Sequence, residues 1–217
     1  MNDNLRTSGF FPLTEPFTNL GITMPAGAGG EQIDSGVLIT TGNDAIVDWV
    51  WVELRDAANS AQILGASAAL LQRDGDVVDT DGSTAVKFPG LPSGDYFLTI
   101  RHRNHLPIMS ADSVYLDLEN GINYDFTIAN SYAEVFSFGQ KEIQPNIWVM
   151  YAGNGDQFEN ADVVDINGKD KAFYSQFNGN SGIYHNADYN LDADVNGQDK
   201  TILSPNFGIF SIVPVGQ

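Results

Sequence analysis

Two copies of one heptapeptide, 29 residues apart, constrain this chain more than any other feature. Asp165-Ile166-Asn167-Gly168-Lys169-Asp170-Lys171 returns as Asp194-Val195-Asn196-Gly197-Gln198-Asp199-Lys200, and each copy runs on to two apolar or aromatic residues and a serine. A match of that length is an internal duplication, so the C-terminal part is expected to hold two related units. Each copy enters a short helix just after its Asn-Gly, burying Phe173 with Phe177 in the first and Ile202 with Leu203 in the second.

The residues ahead of the second copy carry metal-binding chemistry. With Asp188 as position 1, Asn190 falls at 3, Asp192 at 5, the Asp194 carbonyl at 7, Asn196 at 9 and Asp199 at 12. Alternating oxygen side chains let a short loop wrap a hard cation, and a carboxylate on the first helical turn closes the shell. This is the spacing of an EF-hand-type loop, and the expected ion is Ca2+ rather than Mg2+, which keeps its waters and wants octahedral geometry. Ala193 stands at position 6, where glycine at positive φ is usual. In the first copy the equivalents of positions 1, 3 and 5 are Glu159, Ala161 and Val163. Ligands there must come from elsewhere, with Asn154, Asp156, Asp162, Asp165 and Asp170 as candidates. Duplicated loops, Asp at position 12 and a following helix resemble dockerin domains, over about 153–204.

Ahead of the duplication the chain reads as β. Between Val37 and Ile128 the segments VLITT, AIVDWVWVEL, AQILGASAALLQ, AVKF, DYFLTIRHR, SVYLDL and INYDFTI are separated by Gly, Asp, Asn and Pro turns. Several short strands so spaced argue for an all-β sandwich. In the second segment Val47, Trp49, Trp51 and Glu53 share one face, and Ile46, Asp48, Val50, Val52 and Leu54 the other. Both faces are largely apolar, which places this strand centrally. Gly90-Leu91-Pro92-Ser93-Gly94-Asp95-Tyr96 resembles the turn-and-strand signature of prealbumin-like and Cna B-type sandwich domains.

More widely, GNDAIVDWVWVELRDA, ALLQRDGDVVDTDG, RHRNHL and DYNLDADVNGQDKTILSPNFGIFSIVP together resemble a C-terminal module of large secreted Bacteroidota proteins, over about 42–214. In that family a β-sandwich precedes a degenerate dockerin-like calcium unit, so the resemblance implies secretion and this architecture. The expected fold is therefore mainly β. An N-terminal arm and flexible joint occupy 1–30, a prealbumin/immunoglobulin-like β-sandwich 31–130, and a bridging strand with a dockerin-like, EF-hand-loop calcium-binding unit, short helices and an apolar tail 131–217.

Charge excludes several functions. Ten basic against 28 acidic residues leave a formal −18, a field that repels phosphate backbones and anionic lipid heads, so nucleic-acid binding and membrane insertion are not expected. No apolar run approaches the roughly 18 residues of a membrane span. The absence of cysteine rules out a disulfide framework and thiol chemistry. An acidic, lysine-poor, Asn/Gly-rich chain suits millimolar extracellular calcium, pointing to an extracellular or bacterial cell-surface location with any export signal already removed. No nucleophile elbow, zinc helix, P-loop or dinucleotide fingerprint occurs, and no enzymatic activity is expected. His102 and His105, three apart on a strand, are expected on opposite faces as structural or surface residues. Asp112-Ser113-Val114 resembles the Bacteroidota O-glycosylation triplet, which makes Ser113 a candidate for glycan decoration.

Three functions stay open. The arm carries Phe10, Phe11, Leu13, Phe17 and Leu20 ahead of the glycine-rich joint at 26–30. Donated as a strand to a second copy, it would grow a head-to-tail homopolymer, an extracellular filament or surface layer; folded back, it covers its own domain. The second function is an adhesin or carbohydrate-binding module, with Trp49, Trp51, Tyr115 and Tyr132 on one open face and glycans as partners. The third is a dockerin-type anchoring module.

Overall fold

The computed structural model describes residues 1–19, 28–117, 123–128, 131–132, 139–156 and 164–214. Leu20 and Asp162 lie outside them. The chain is mainly β, built on antiparallel sheets with few short helices.

Strand β1 (Ile46–Asp56) is the centre of the largest sheet, flanked by β2 (Ile63–Gln72) and β4 (Gly94–His102), with β3 (Val77–Val78) beyond β2 and β5 (His105–Met109) beyond β4. β6 (Val114–Leu116) continues the edge by pairing with the start of β4. β1 is buried on both faces, as its two apolar sets require. Trp49, Trp51 and Glu53 lie across from Leu70, Ala68 and Ala66, and the small Ala68 leaves room for the Trp51 indole.

The tryptophan face is covered by the chain's own N-terminal arm. Leu5, from the one-turn helix α1 (Asn4–Thr7), and Phe11 and Phe17 are buried in the same cluster as Trp49 and Trp51. Phe11 stacks on Trp49 with centroids 6.2 Å apart, and Phe17 meets Trp51 edge-on at 6.1 Å. The Trp49 indole N–H, which needs an acceptor when buried, donates to the Pro12 carbonyl at 2.9 Å. In the single chain the arm is thus folded back over its own domain, one of the two dispositions the sequence left open. Phe11 and Phe17 fill their own core, while Phe10 and Leu13 keep 42% and 43% exposure.

On the opposite face Val50, Val52, Ala69, Ile100 and Ile108 pack with Phe126 and Met150, beside a ribbon of β7 (Lys141–Gln144) and β8 (Ile147–Val149). The C-terminal unit comprises β9 (Val164–Asp165), α2 (Gly168–Phe177), α3 (Gly197–Leu203) and β10 (Phe210–Ser211), which pairs with β9. Its small core of Ile166, Tyr174, Ala187, Tyr189, Val195 and Leu203 includes Leu106 of β5. The unit does not stand alone. Leu191 and Ala193, from its second loop, belong to the cluster of Trp49, Trp51 and the arm. Among the described residues no helix is long and apolar enough to cross a membrane.

Candidate metal centre

Both duplicated segments start helices where their Asn-Gly pairs lie. Asn167 and Asn196 cap α2 and α3, and each third helical residue, Asp170 or Asp199, returns its carboxylate to the cap's own N–H at 2.8 Å. These reciprocal caps satisfy donors that a short helix would otherwise leave unpaired.

Ahead of α3 the loop winds on itself. Asp188, wholly buried, accepts N–H bonds from Asp192 at 3.1 Å and Ala193 at 2.9 Å. Asn190 Oδ1 accepts from Asp192 N–H, and Asp192 Oδ1 from Asp194 N–H at 3.0 Å. Oxygens of positions 1, 3 and 5 thereby turn around one side of the loop. The turn demands positive φ at Leu191 (61°) and Ala193 (72°), and the latter is the residue expected to be glycine. Asp199 closes the loop onto the helix: one oxygen takes Tyr189 N–H at 2.6 Å and Asn190 N–H at 3.3 Å, the other Asn196 N–H. The Asn196 side chain caps α3 through Gln198 N–H, and an Asp194 carboxylate oxygen takes Gly182 N–H at 3.2 Å.

The first loop repeats this arrangement with different residues from those at a fixed offset of 29. Gly155 N–H meets Asp170 Oδ1 at 2.8 Å and Asp156 N–H meets it at 3.3 Å, as Tyr189 and Asn190 meet Asp199. Asn154 and Asp156 therefore take positions 1 and 3. From Asn154 to Asp170 is 16 positions and from Asp188 to Asp199 is 11, so the first loop carries five extra residues. The alignment of Glu159, Ala161 and Val163 with positions 1, 3 and 5 is corrected by that insertion. Asp165 contacts the cap residue Asn167, accepting its amide at 2.7 Å.

The donors in these loops are oxygens, the kind a hard cation takes. Burial pushes the Asp188 carboxyl up to about 7, against the pull of Arg103 and the N–H groups of Ala193 and Asp192. Asp170 is likewise pushed up to about 7, first by burial, and burial raises Asp199. Buried carboxyl groups held in this way favour the ionised form when a cation replaces the missing water. Among the described residues no three acidic, histidine or cysteine side chains are gathered for a metal, so a shell here would have to draw on Asn and backbone oxygens as well.

A buried polar cluster joins these loops to the sheet, and sequence reasoning missed most of it. Asp48 of β1 is held by His102 Nε2 at 3.0 Å, Arg103 Nε at 2.9 Å and the Tyr184 hydroxyl at 2.6 Å. Burial alone raises the Asp48 carboxyl; Arg103 and His102 reverse that and hold it well below the usual range. Arg103 lies over the Tyr184 ring at 4.3 Å and also donates to the His185 carbonyl. Asn104 spans both loops. Its side chain donates to the Asp188 carbonyl at 2.6 Å, and its own carbonyl accepts Gly153 N–H at 3.0 Å. His102 and His105 do not sit on opposite faces, because Arg103 and Asn104 form a two-residue turn between β4 and β5. The two rings meet with Nδ1 atoms 2.9 Å apart, and burial, then His102 and Arg103, hold His105 well below the ordinary histidine range.

The remaining candidates scatter. Trp49 is fully buried and Trp51 7% exposed, so they form no open sugar platform with the exposed Tyr115. Ser113 is exposed beside β6.

No family model matches the chain, and no curated protein matches it. Among solved structures, it is similar to an N-terminal interface mutant of a type II cohesin–X–dockerin complex from Acetivibrio cellulolyticus. The likeness has a TM-score of 0.37 and 16% identity, covering 73% of this chain and 80% of that one, and is too loose to carry an argument.

Proposed function

We propose that this chain is a non-catalytic, calcium-stabilised structural module of an extracellular bacterial protein, in which two EF-hand-type loops lock onto a β-sheet. The observation that carries this reading is the shared core: Leu191 and Ala193 of the second loop pack with Trp49, Trp51, Leu5 and Phe11. Whatever stiffens that loop stiffens the sheet and the arm. In the first loop Asn154, Asp156 and Asp170 hold the ion; in the second, Asp188, Asn190, Asp192, the Asp194 carbonyl and Asp199 do so. A bound calcium neutralises buried carboxylates that otherwise repel one another. Seated in this way, the loops are part of the domain's own core rather than a free dockerin surface for anchoring. Excess chelator is expected to lower the melting temperature and Asp192→Ala to remove part of that sensitivity. Identical melting curves with and without chelator would refute the proposal.

The narrower form of this reading is self-association into a filament by the arm. Since Leu5, Phe11 and Phe17 are seated on their own sheet, this requires exchange: the arm leaves and a second copy's arm replaces it, re-exposing about 1.5–3 kcal/mol per side chain in transit. Filaments in negative-stain images that vanish on deletion of residues 1–20 are the expected result. A monodisperse intact chain at high concentration would reduce the proposal to its first part.

A further inference from the structure

Second positions of the two loops face each other asymmetrically. Gly155 and Tyr189 occupy the same station, each giving its N–H to the loop's helical aspartate. Tyr189 reaches from the second loop to the first, and a Cβ placed on Gly155 would lie only 2.6 Å from its hydroxyl. The tyrosine is 3% exposed, and among the described residues that hydroxyl has no hydrogen-bond partner. An orphaned buried hydroxyl costs about 1–3 kcal/mol, so its place asks for a ligand. Burial raises the phenol well above its usual range, and the charges of Asp170, Asp199 and Asp156 add to that, which locates it among the carboxylates of both loops. A reciprocal contact runs the other way: Tyr174 of α2 sets its hydroxyl 2.8 Å from the Asn196 carbonyl of the second loop.

We propose that Tyr189 couples the two loops, its hydroxyl completing the shell of the cation in the first loop, so that the loops fill cooperatively. The first loop has reason to borrow an oxygen, since the neutral Asn154 stands where the second has Asp188. Filling the second loop fixes Tyr189, because Tyr189 N–H is tied to Asp199 at 2.6 Å. The first ion then meets a preorganised oxygen rather than one it must order.

This inference rests on the calcium reading, and a calorimetric calcium titration of the full chain separates the two. The intact chain is expected to bind two ions with a Hill coefficient above 1. Tyr189→Phe, which removes one oxygen, should weaken one of them at least about tenfold and abolish cooperativity, with the other constant unchanged. Gly155→Ala, which pushes the hydroxyl aside from the opposite loop, should reproduce the loss if Tyr189→Phe folds poorly; circular dichroism at saturating calcium checks folding of both. With terbium as the probe, emission excited through tyrosine should drop in Tyr189→Phe. If the intact chain binds no calcium, both readings fall. If it binds two ions and both variants keep the same constants and cooperativity, only the coupling by Tyr189 falls.

Discussion

Removal of calcium should invert the pH dependence of stability. In the metal-free protein the Asp188 carboxyl sits at about 7, against 3.8 in an unfolded chain. The folded state therefore holds a proton that the unfolded chain has released. That stabilisation is fully present below 3.8 and is lost as pH rises through 7. Between pH 5.5 and 8.0 it amounts to about 2 kcal/mol for Asp188, and Asp170, also at about 7, adds in the same direction. Buried His105 opposes this. Held well below its ordinary value, it contributes stability above the unfolded value near 6.5 that is lost as pH falls, by at most about 1.4 kcal/mol at pH 5.5. Metal-stripped protein should thus melt higher at pH 5.5 than at 8.0, where about 2 kcal/mol corresponds to roughly 4–8 °C in a chain of this size. In calcium the carboxylates are ionised in the folded and unfolded chain alike above pH 5.5, so their pH dependence vanishes and the depressed His105 leaves the protein melting higher at pH 8.0. Scanning calorimetry of both forms at the two pH values reads the slopes, and a pH-stat reads the protons that calcium should displace at pH 6 and not at pH 8. Parallel slopes with and without calcium, or no proton release at pH 6, would refute the reasoning.

Ala193→Gly should keep the fold and tighten calcium binding, because glycine adopts φ of 72° without strain, whereas Ala193→Val should lose about 2–3 kcal/mol by urea titration. Asp48→Asn leaves Arg103 buried without its counter-charge, and a loss of about 3–5 kcal/mol is expected, most of it recovered if Arg103 is replaced as well. Trp51→Ala opens a cavity beneath Phe17, costing about 3–5 kcal/mol, and leaves glycan-array signals where they were.

What could be read from the sequence follows from how local each signal is. The helix starts at Asn167 and Asn196 were legible because a cap is a matter of three or four consecutive residues, and the centrality of β1 because both of its faces are apolar. The second loop kept its spacing and so its positions. In the first loop the five inserted residues broke the offset of 29, and only the N–H contacts of Gly155 and Asp156 with Asp170 reveal Asn154 and Asp156 as positions 1 and 3. The arm's phenylalanines announced burial but not against which copy, since apolar burial has no direction. Asp48 shares a buried face of β1 with Ile46, Val50, Val52 and Leu54, and what compensates it was out of reach because its partners lie 54, 55 and 136 residues away.

The turn at Arg103 and Asn104 gives the loops a mechanical role. Its backbone receives Gly153, next to position 1 of the first loop, and its Asn104 amide holds the carbonyl of position 1 in the second. On the sheet side the same turn is pinned to β1 by Asp48, through His102 and Arg103. On the calcium reading, loss of the ion leaves Asp188, a fully buried carboxylate at position 1, without its counter-charge, and the loop should relax there. Relaxation there frees Asn104, and a freed Asn104 leaves buried donors on the turn with nothing to bind. The hydrogen-exchange protection of β4 and β5 should therefore fall together with that of the loops when calcium is withdrawn, while β2, which pairs on the far side of β1, keeps its own. Uniform loss across all strands would show that the sheet senses calcium through the shared tryptophan core instead.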